Sequence, residues 1–275
     1  MAKRGRRVSD RLEVPWGRLG GHDWTMSGVR RQIVAFGGGG FSMEAGNPLL
    51  DDYVLDLARE RRERPRVCFL PTASGDADHY IVRFYRTFTS DRCEPSHVSL
   101  FRRDGGTADP AGHLQDQDLV YVGGGNVISL LGVLRAHGLD HALRDAWHAG
   151  VVMCGLSAGS LCWFDQGVTA YHGDPSRVDG MGFLPCSNSV HYDGERGRDR
   201  AYRRFLLEGM PPGYAVEDGA ALHFHGERLA KVVSSRPGAR AYRMRACAGR
   251  VVRSALAARY LGEAAPARPA LAVAA

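Results

Sequence analysis

The sequence predicts an α/β fold: a doubly wound, mostly parallel sheet with a β-hairpin toward its C-terminus. Two observations carry this. Short apolar runs without polar alternation recur between helical stretches, as in strands buried on both faces. Three of these runs end in glycine-rich loops, at residues 37–40, 123–126 and 155–159. In an open α/β sheet, function gathers in loops at the carboxyl ends of strands.

The elements follow in order. Residues 32–36 (QIVAF) form a strand that enters the first glycine loop. Residues 51–62 have the spacing of an amphipathic helix. Residues 66–70 (RVCFL) are a second strand, stopped by Pro71. Residues 80–89 read as helix and 97–101 as a third strand. Residues 118–122 are a fourth strand, running into Gly-Gly-Gly-Asn at 123–126. Helices follow at 127–137 and 139–148. The fifth strand, 151–154, ends at a turn around Ser157. Beyond residue 165 the rhythm changes. Residues 220–224 and 229–234 read as a hairpin about Gly226, and 239–244 as a further strand. No repeat or linker interrupts the pattern, so one α/β domain spans 30–248. Residues 1–29 lack periodicity and read as a disordered leader. Residues 249–275 read as an extension with a frayed Ala/Pro-rich tail.

At 275 residues and 44% hydrophobic, the chain can build one sizeable core. Half of its net charge of +6 lies in residues 1–25. The remainder shows no clustered basic face with interleaved aromatics, so no nucleic-acid partner is expected. No apolar run reaches the length of a membrane span, and the basic N-terminus lacks the apolar segment of a signal peptide. Six cysteines without a Cys-x-x-Cys pair point to reduced, mostly buried thiols and a cytoplasmic location.

Residues 154–160 (CGLSAGS) contain Gly-x-Ser-x-Gly between a strand and a helix. This is the form of a nucleophile elbow, in which a tight turn pushes the central Oγ outward. The Ala158 N–H then opens a helix, where an oxyanion is stabilised. The 123–126 loop lacks the spacing of a phosphate cradle and has no P-loop lysine. It suits a second oxyanion donor, Gly124 or Gly125. The 37–40 loop lacks dinucleotide-binding spacing and is the least informative of the three.

A serine nucleophile needs a base, and a histidine base needs an orienting carboxylate. His137, His141 and His148 lie on helices. His223 and His225 share one face of a strand with no third metal ligand in view, which favours packing. His191 sits in an irregular polar loop, where catalytic groups concentrate. Spacing does not choose among Asp165, Asp174, Asp193, Glu217 and Asp218.

The order of GGGN, the Ser157 turn, a loop His191 and an acidic residue before Gly219 resembles the peptidase E family. These are serine dipeptidases and cyanophycinase-like enzymes, related to the class I glutamine amidotransferases. The resemblance covers roughly residues 31–245. It implies a flavodoxin-like, class I glutamine amidotransferase-like sheet. It implies Ser157 as nucleophile, His191 as base, and backbone amides of Gly124 and Ala158 as the oxyanion hole. The family often has a Glu-Gly step for the third member. This chain has Asp218-Gly219 there, with Glu217 and Asp174 as alternates.

The expected activity is serine-type hydrolysis of a peptide or isopeptide bond in a short peptide through an acyl-enzyme, with no metal or cofactor. The assembly is open to a homodimer. Arg196, Arg198 and Arg200 follow His191 and suit an acidic side chain, though a solvated loop also accounts for them. Two other functions share the elbow. One is an α/β-hydrolase-type esterase using Asp218 and His225. The other is a non-catalytic amidotransferase-like binding module. Glutamine amidotransfer is disfavoured, because position 157 is serine and Cys154 lies within the strand.

Overall fold

The computed structural model describes residues 30–102 and 107–262. The leader at 1–29 and the last residues of the tail lie outside the described residues. In chain order, β1 (Gln32–Phe36) leads to α1 (Gly40–Met43) and α2 (Leu49–Arg59). β2 (Arg66–Leu70) leads through a 3-10 turn to α3 (Asp78–Thr87). Then come β3 (Glu94–His97), α4 (Pro110–Gln115), β4 (Leu119–Val122), α5 (Val127–Ala136) and α6 (Leu139–His148). β5 (Val152–Leu156) and α7 (Ala158–Leu161) close the first half. The second half holds β6 (Phe164–Thr169), β7 (Ser176–Asp179), β8 (Leu184–Ser189), α8 (Arg198–Leu207) and β9 (Gly213–Val216). It ends with β10 (Ala220–His225), β11 (Arg228–Ser234), β12 (Ala241–Cys247), β13 (Arg250–Leu256) and β14 (Ala258–Tyr260).

The main sheet has the order β14-β11-β10-β1-β5-β4-β2-β3. From β1 to β3 every pairing is parallel. Alternate residues of each strand feed two separate cores. Ile33, Ala35, Val120 and Met153 face α4–α7, and Val34, Phe36, Phe69 and Tyr121 face α2 and α3. Helices on both faces explain why these strands show no polar alternation. On α6 the buried set Leu139, Ala142, Leu143, Ala146 and Trp147 has the spacing of one helical face. The expected hairpin is β10–β11, and β10 runs antiparallel beside β1.

A second sheet, ordered β13-β12-β9-β8-β6-β7, packs on the core beside α7. Its far side is covered by α8, through Tyr202, Phe205 and Met244. The sequence reading missed most of this sheet. β8 is the instructive case: Ser187, Asn188 and Ser189 are fully buried. Their polarity resembles a loop, but Ser187 and the Asn188 amide nitrogen find partners inside the fold. Ser187 Oγ lies 2.7 Å from the Tyr202 hydroxyl, and Asn188 Nδ2 donates to Ser160 Oγ at 3.2 Å.

Two further differences have clear causes. The third strand is Glu94–His97 rather than 97–101. The Asp76 carboxylate accepts the Leu100 and Phe101 amides at 2.7 and 2.9 Å, which draws the chain out of the ladder. Residues 250–260, expected in a C-terminal extension beyond the α/β domain, are β13 and β14. β13 pairs along its whole length with β12, and β14 pairs with β11. β13 is an exposed edge strand, so its weak apolar pattern did not signal it.

Asp51, on α2, is fully buried against the Tyr121 hydroxyl. Burial pushes its carboxyl up to about 8. An acid whose folded pKa is raised contributes stability that is complete below about pH 4 and lost as pH rises to about 8. In thermal melts between about pH 5 and pH 9, Asp51→Asn should gain progressively on the wild type as pH rises, and melt higher at the alkaline end. Equal gains at every pH would show that Asp51 does not titrate in this interval.

Candidate active site

The chain leaves β5 at Leu156 and enters α7 at Ala158. Between them Ser157 has φ 52° and ψ −115°, a conformation that side-chain-bearing residues avoid. The flanking glycines make the turn possible. A Cβ on Gly159 would lie 2.1 Å from the Val122 carbonyl oxygen, and one on Gly155 would lie 2.3 Å from the Gly159 oxygen. α7 therefore rests directly on the ends of β4 and β5. The Ser157 carbonyl accepts the Ser160 and Leu161 amides, both at 2.9 Å, which anchors the turn.

His191 follows β8 by two residues and also has a positive φ, 51°. Its backbone N–H donates to the Gly37 oxygen at 3.0 Å, and its carbonyl accepts the Glu195 amide at 3.0 Å. Its Nδ1 lies 2.6 Å from Asp218 Oδ1. A carboxylate offers only lone pairs, so Nδ1 carries the proton and Nε2 is left as an acceptor. Asp218 sits in the turn between β9 and β10, where its own N–H donates to Asp193 Oδ1 at 2.9 Å.

The alternates lie elsewhere. Glu217 accepts the Arg240 amide and the Tyr242 hydroxyl at 2.8 and 2.7 Å. Asp174 is exposed in the connection between β6 and β7. His225 stands at the opposite end of β10 from Asp218, in register with Gln32, so the esterase pairing is not formed. Its neighbour His223 is held between Tyr53 Oη at 2.6 Å and Gln32 Oε1 at 3.0 Å. Burial pushes His223 down to about 3, so it is a neutral packing residue. Cys154 is fully buried, and burial raises its thiol pKa, as expected of an inert cysteine.

Ser157, His191 and Asp218 line one cleft of about 450 Å³ together with Gly124, Tyr80 and Ser42. The Gly124 N–H donates to the Tyr80 hydroxyl at 3.0 Å. Asn126 caps α5, accepting the Ile128 and Ser129 amides, which fixes the end of the glycine loop. A recess of about 70 Å³ opens beside Ser157, lined by Thr169, Glu195 and Arg198 among others. Arg198 is buried, bound to the Val168 carbonyl and to Glu195. Arg196 and Arg200 are exposed.

The first glycine loop proves essential to this geometry. A Cβ on Gly38 would lie 2.1 Å from Asp218 Oδ1 and 2.8 Å from His191 Nδ1. The Gly38 carbonyl also accepts the Gly219 amide at 2.9 Å. Sequence reasoning passed over Gly38 and Tyr80. The signal for Gly38 was its place directly beyond a buried central strand.

The sequence pattern of peptidase family S51 matches residues 33–232. The chain belongs to peptidase family S51. It is thus a serine-type peptidase. It is 47% identical over 233 residues to the uncharacterized peptidase YgaJ of Bacillus subtilis (strain 168), covering 84% of this chain and 100% of that one. It is 30% identical over 174 residues to peptidase E of Streptomyces coelicolor, covering 59% of this chain and 69% of that one. The crystal structure of a peptidase from an acI-B1 Actinobacterium superposes with a TM-score of 0.59 at 15% identity, over 82% of this chain and 95% of that one. That likeness is one of fold, and it agrees with the doubly wound α/β sheet of this S51 member.

Gly38→Ala should push the Asp218 carboxyl off His191. Misplacement on this scale costs about a hundredfold in rate. The expected outcome is that much loss in the rate of fluorophosphonate labelling at Ser157, with the chain still folded by circular dichroism. Unchanged labelling would show that the His191–Asp218 contact is dispensable.

Proposed function

We propose that this S51 peptidase hydrolyses a peptide or isopeptide bond in a short peptide through an acyl-enzyme on Ser157. The observation that carries the reading is the 2.6 Å contact of His191 Nδ1 with Asp218, in the cleft that Ser157 also lines. His191 Nε2 takes the Ser157 proton as Oγ attacks the scissile carbonyl. Asp218 holds the imidazole in that tautomer and stabilises the imidazolium. The strained turn is a nucleophile elbow. It leaves the Ala158 N–H in the first turn of α7, without an intrahelical partner, to meet the developing oxyanion. The Gly124 segment forms the other wall. The amine leaves with the proton from His191, and water activated by the same histidine clears the acyl group.

A cleft of about 450 Å³ suits a short peptide. The relatives named peptidase E support a peptide as the substrate. All six cysteines are free and five are buried, which favours the cytoplasm. Among the described residues no helix is long and apolar enough to cross a membrane. The enzyme acts there without a nucleic-acid partner, as a monomer or a homodimer.

A fluorophosphonate probe followed by peptide mass mapping tests the reading. Labelling is expected at Ser157 and should vanish in Ser157→Ala and His191→Ala. Asp218→Asn should slow dipeptide hydrolysis by about three to four orders of magnitude, through loss of the correct tautomer. Dipeptides should be cleaved in preference to p-nitrophenyl esters. Full hydrolysis by Ser157→Ala would overturn the mechanism.

A further inference from the structure

Tyr80, on α3, has a role the triad does not use. Its ring is wedged beside Phe41 and Phe69, with centroids 5.4 and 5.2 Å away. Only 6% of the residue is exposed, and that part lines the cleft with Ser157 and His191. Its Oη accepts the Gly124 N–H at 3.0 Å. The Ser42 side chain is its other polar partner. Gly124 in turn lies against the nucleophile, since a Cβ built on it falls 3.4 Å from Ser157 Cβ.

A hydroxyl has two lone pairs and one proton. The Gly124 amide fills one lone pair. That contact does not use the phenolic proton, which is left to donate to Ser42 or into the cleft. The phenol is much the stronger acid of the two. When an anion develops in the cleft, the phenol O–H turns to it, and the Ser42 O–H fills the phenol's remaining lone pair. Donation from Gly124 polarises the phenol further and makes it a better donor. The amide expected to bind the oxyanion directly is therefore already engaged, and it reaches the cleft through Tyr80.

We propose that Tyr80 is a further catalytic residue: its phenolic O–H donates a hydrogen bond to the substrate carbonyl oxygen as that oxygen becomes an oxyanion. The proposal rests on Ser157 being the nucleophile. In the step, the Oγ–carbon bond forms and the carbonyl π pair moves onto oxygen. The Ser157 proton goes to His191 Nε2, and Tyr80 keeps its own proton. Burial raises the phenol pKa, which keeps that proton in place at neutral pH. The ring is locked by its aromatic neighbours, so the donor needs little reorganisation when charge appears.

Tyr80→Phe keeps the ring and removes only the hydroxyl. In the full chain it should still be labelled by a fluorophosphonate at Ser157, with the labelling rate constant lower by about a hundredfold or more. The kcat for p-nitrophenyl acetate should fall in parallel, with KM little changed. Labelling as fast as in the wild type, or faster, would show that Tyr80 merely occupies the Gly124 amide. That result overturns the proposal while wild-type labelling leaves the nucleophile standing. A wild type that fails to label would overturn both. Tyr80→3-fluorotyrosine separates donation from packing, because it keeps the shape and strengthens the donor. It should react at least as fast as the wild type, and a rate as low as that of Tyr80→Phe would overturn the proposal.

Discussion

The site depends on one close backbone approach, that of Gly37 and Gly38 to the chain segments bearing His191 and Asp218. Three hydrogen bonds stitch it together. Gly37 accepts the His191 amide, Gly37 donates to the Ala220 oxygen, and Gly38 accepts the Gly219 amide. β1 lies between β5, which ends at the serine, and β10, which begins beside the aspartate. The loop leaving β1 thus lies between the serine turn and the aspartate turn. Any side chain at position 38 would occupy the space of the Asp218 carboxyl.

That approach also explains how strain is held. Ser157 and His191 both adopt positive φ, each at a cost of about 1–3 kcal/mol. Neither can relax alone. The Ser157 turn is pinned by α7 against the ends of β4 and β5. The His191 backbone is tied to Gly37 on one side and to the start of the next turn on the other. The two cores flanking the main sheet, with the second sheet packed on one of them, over-determine these positions. Tyr80 shares in this, since the Phe41–Phe69 wedge that fixes its ring belongs to the same core.

Much of this was legible in the sequence. The parallel strands announced themselves because burial on both faces demands unbroken apolar runs. The serine turn was legible because its geometry requires glycine at both flanks. β8 was not, because its buried serines and asparagine look like a loop until the contacts of Ser187 and Asn188 are known. The choice of Asp218 over Glu217 and Asp174 was not fixed by spacing, because the carboxylate meets His191 only through the fold. The 37–40 loop was read against dinucleotide-binding patterns, whereas its glycines serve contact between chain segments. Tyr80 passed as the first residue of a helix, since nothing local marks a hydroxyl that meets a distant amide.

The antiparallel pairing of β10 with β1 has a consequence for biosynthesis. Ile33 pairs with Phe224, so β1 waits for about 190 further residues before that side of it is covered. On the ribosome Ser157 emerges first, then His191, then Asp218. A nascent chain that has just released Ser157 still lacks both His191 and Asp218, and the flank of β1 is open. The cleft that these three residues line therefore forms only after β10 has been made.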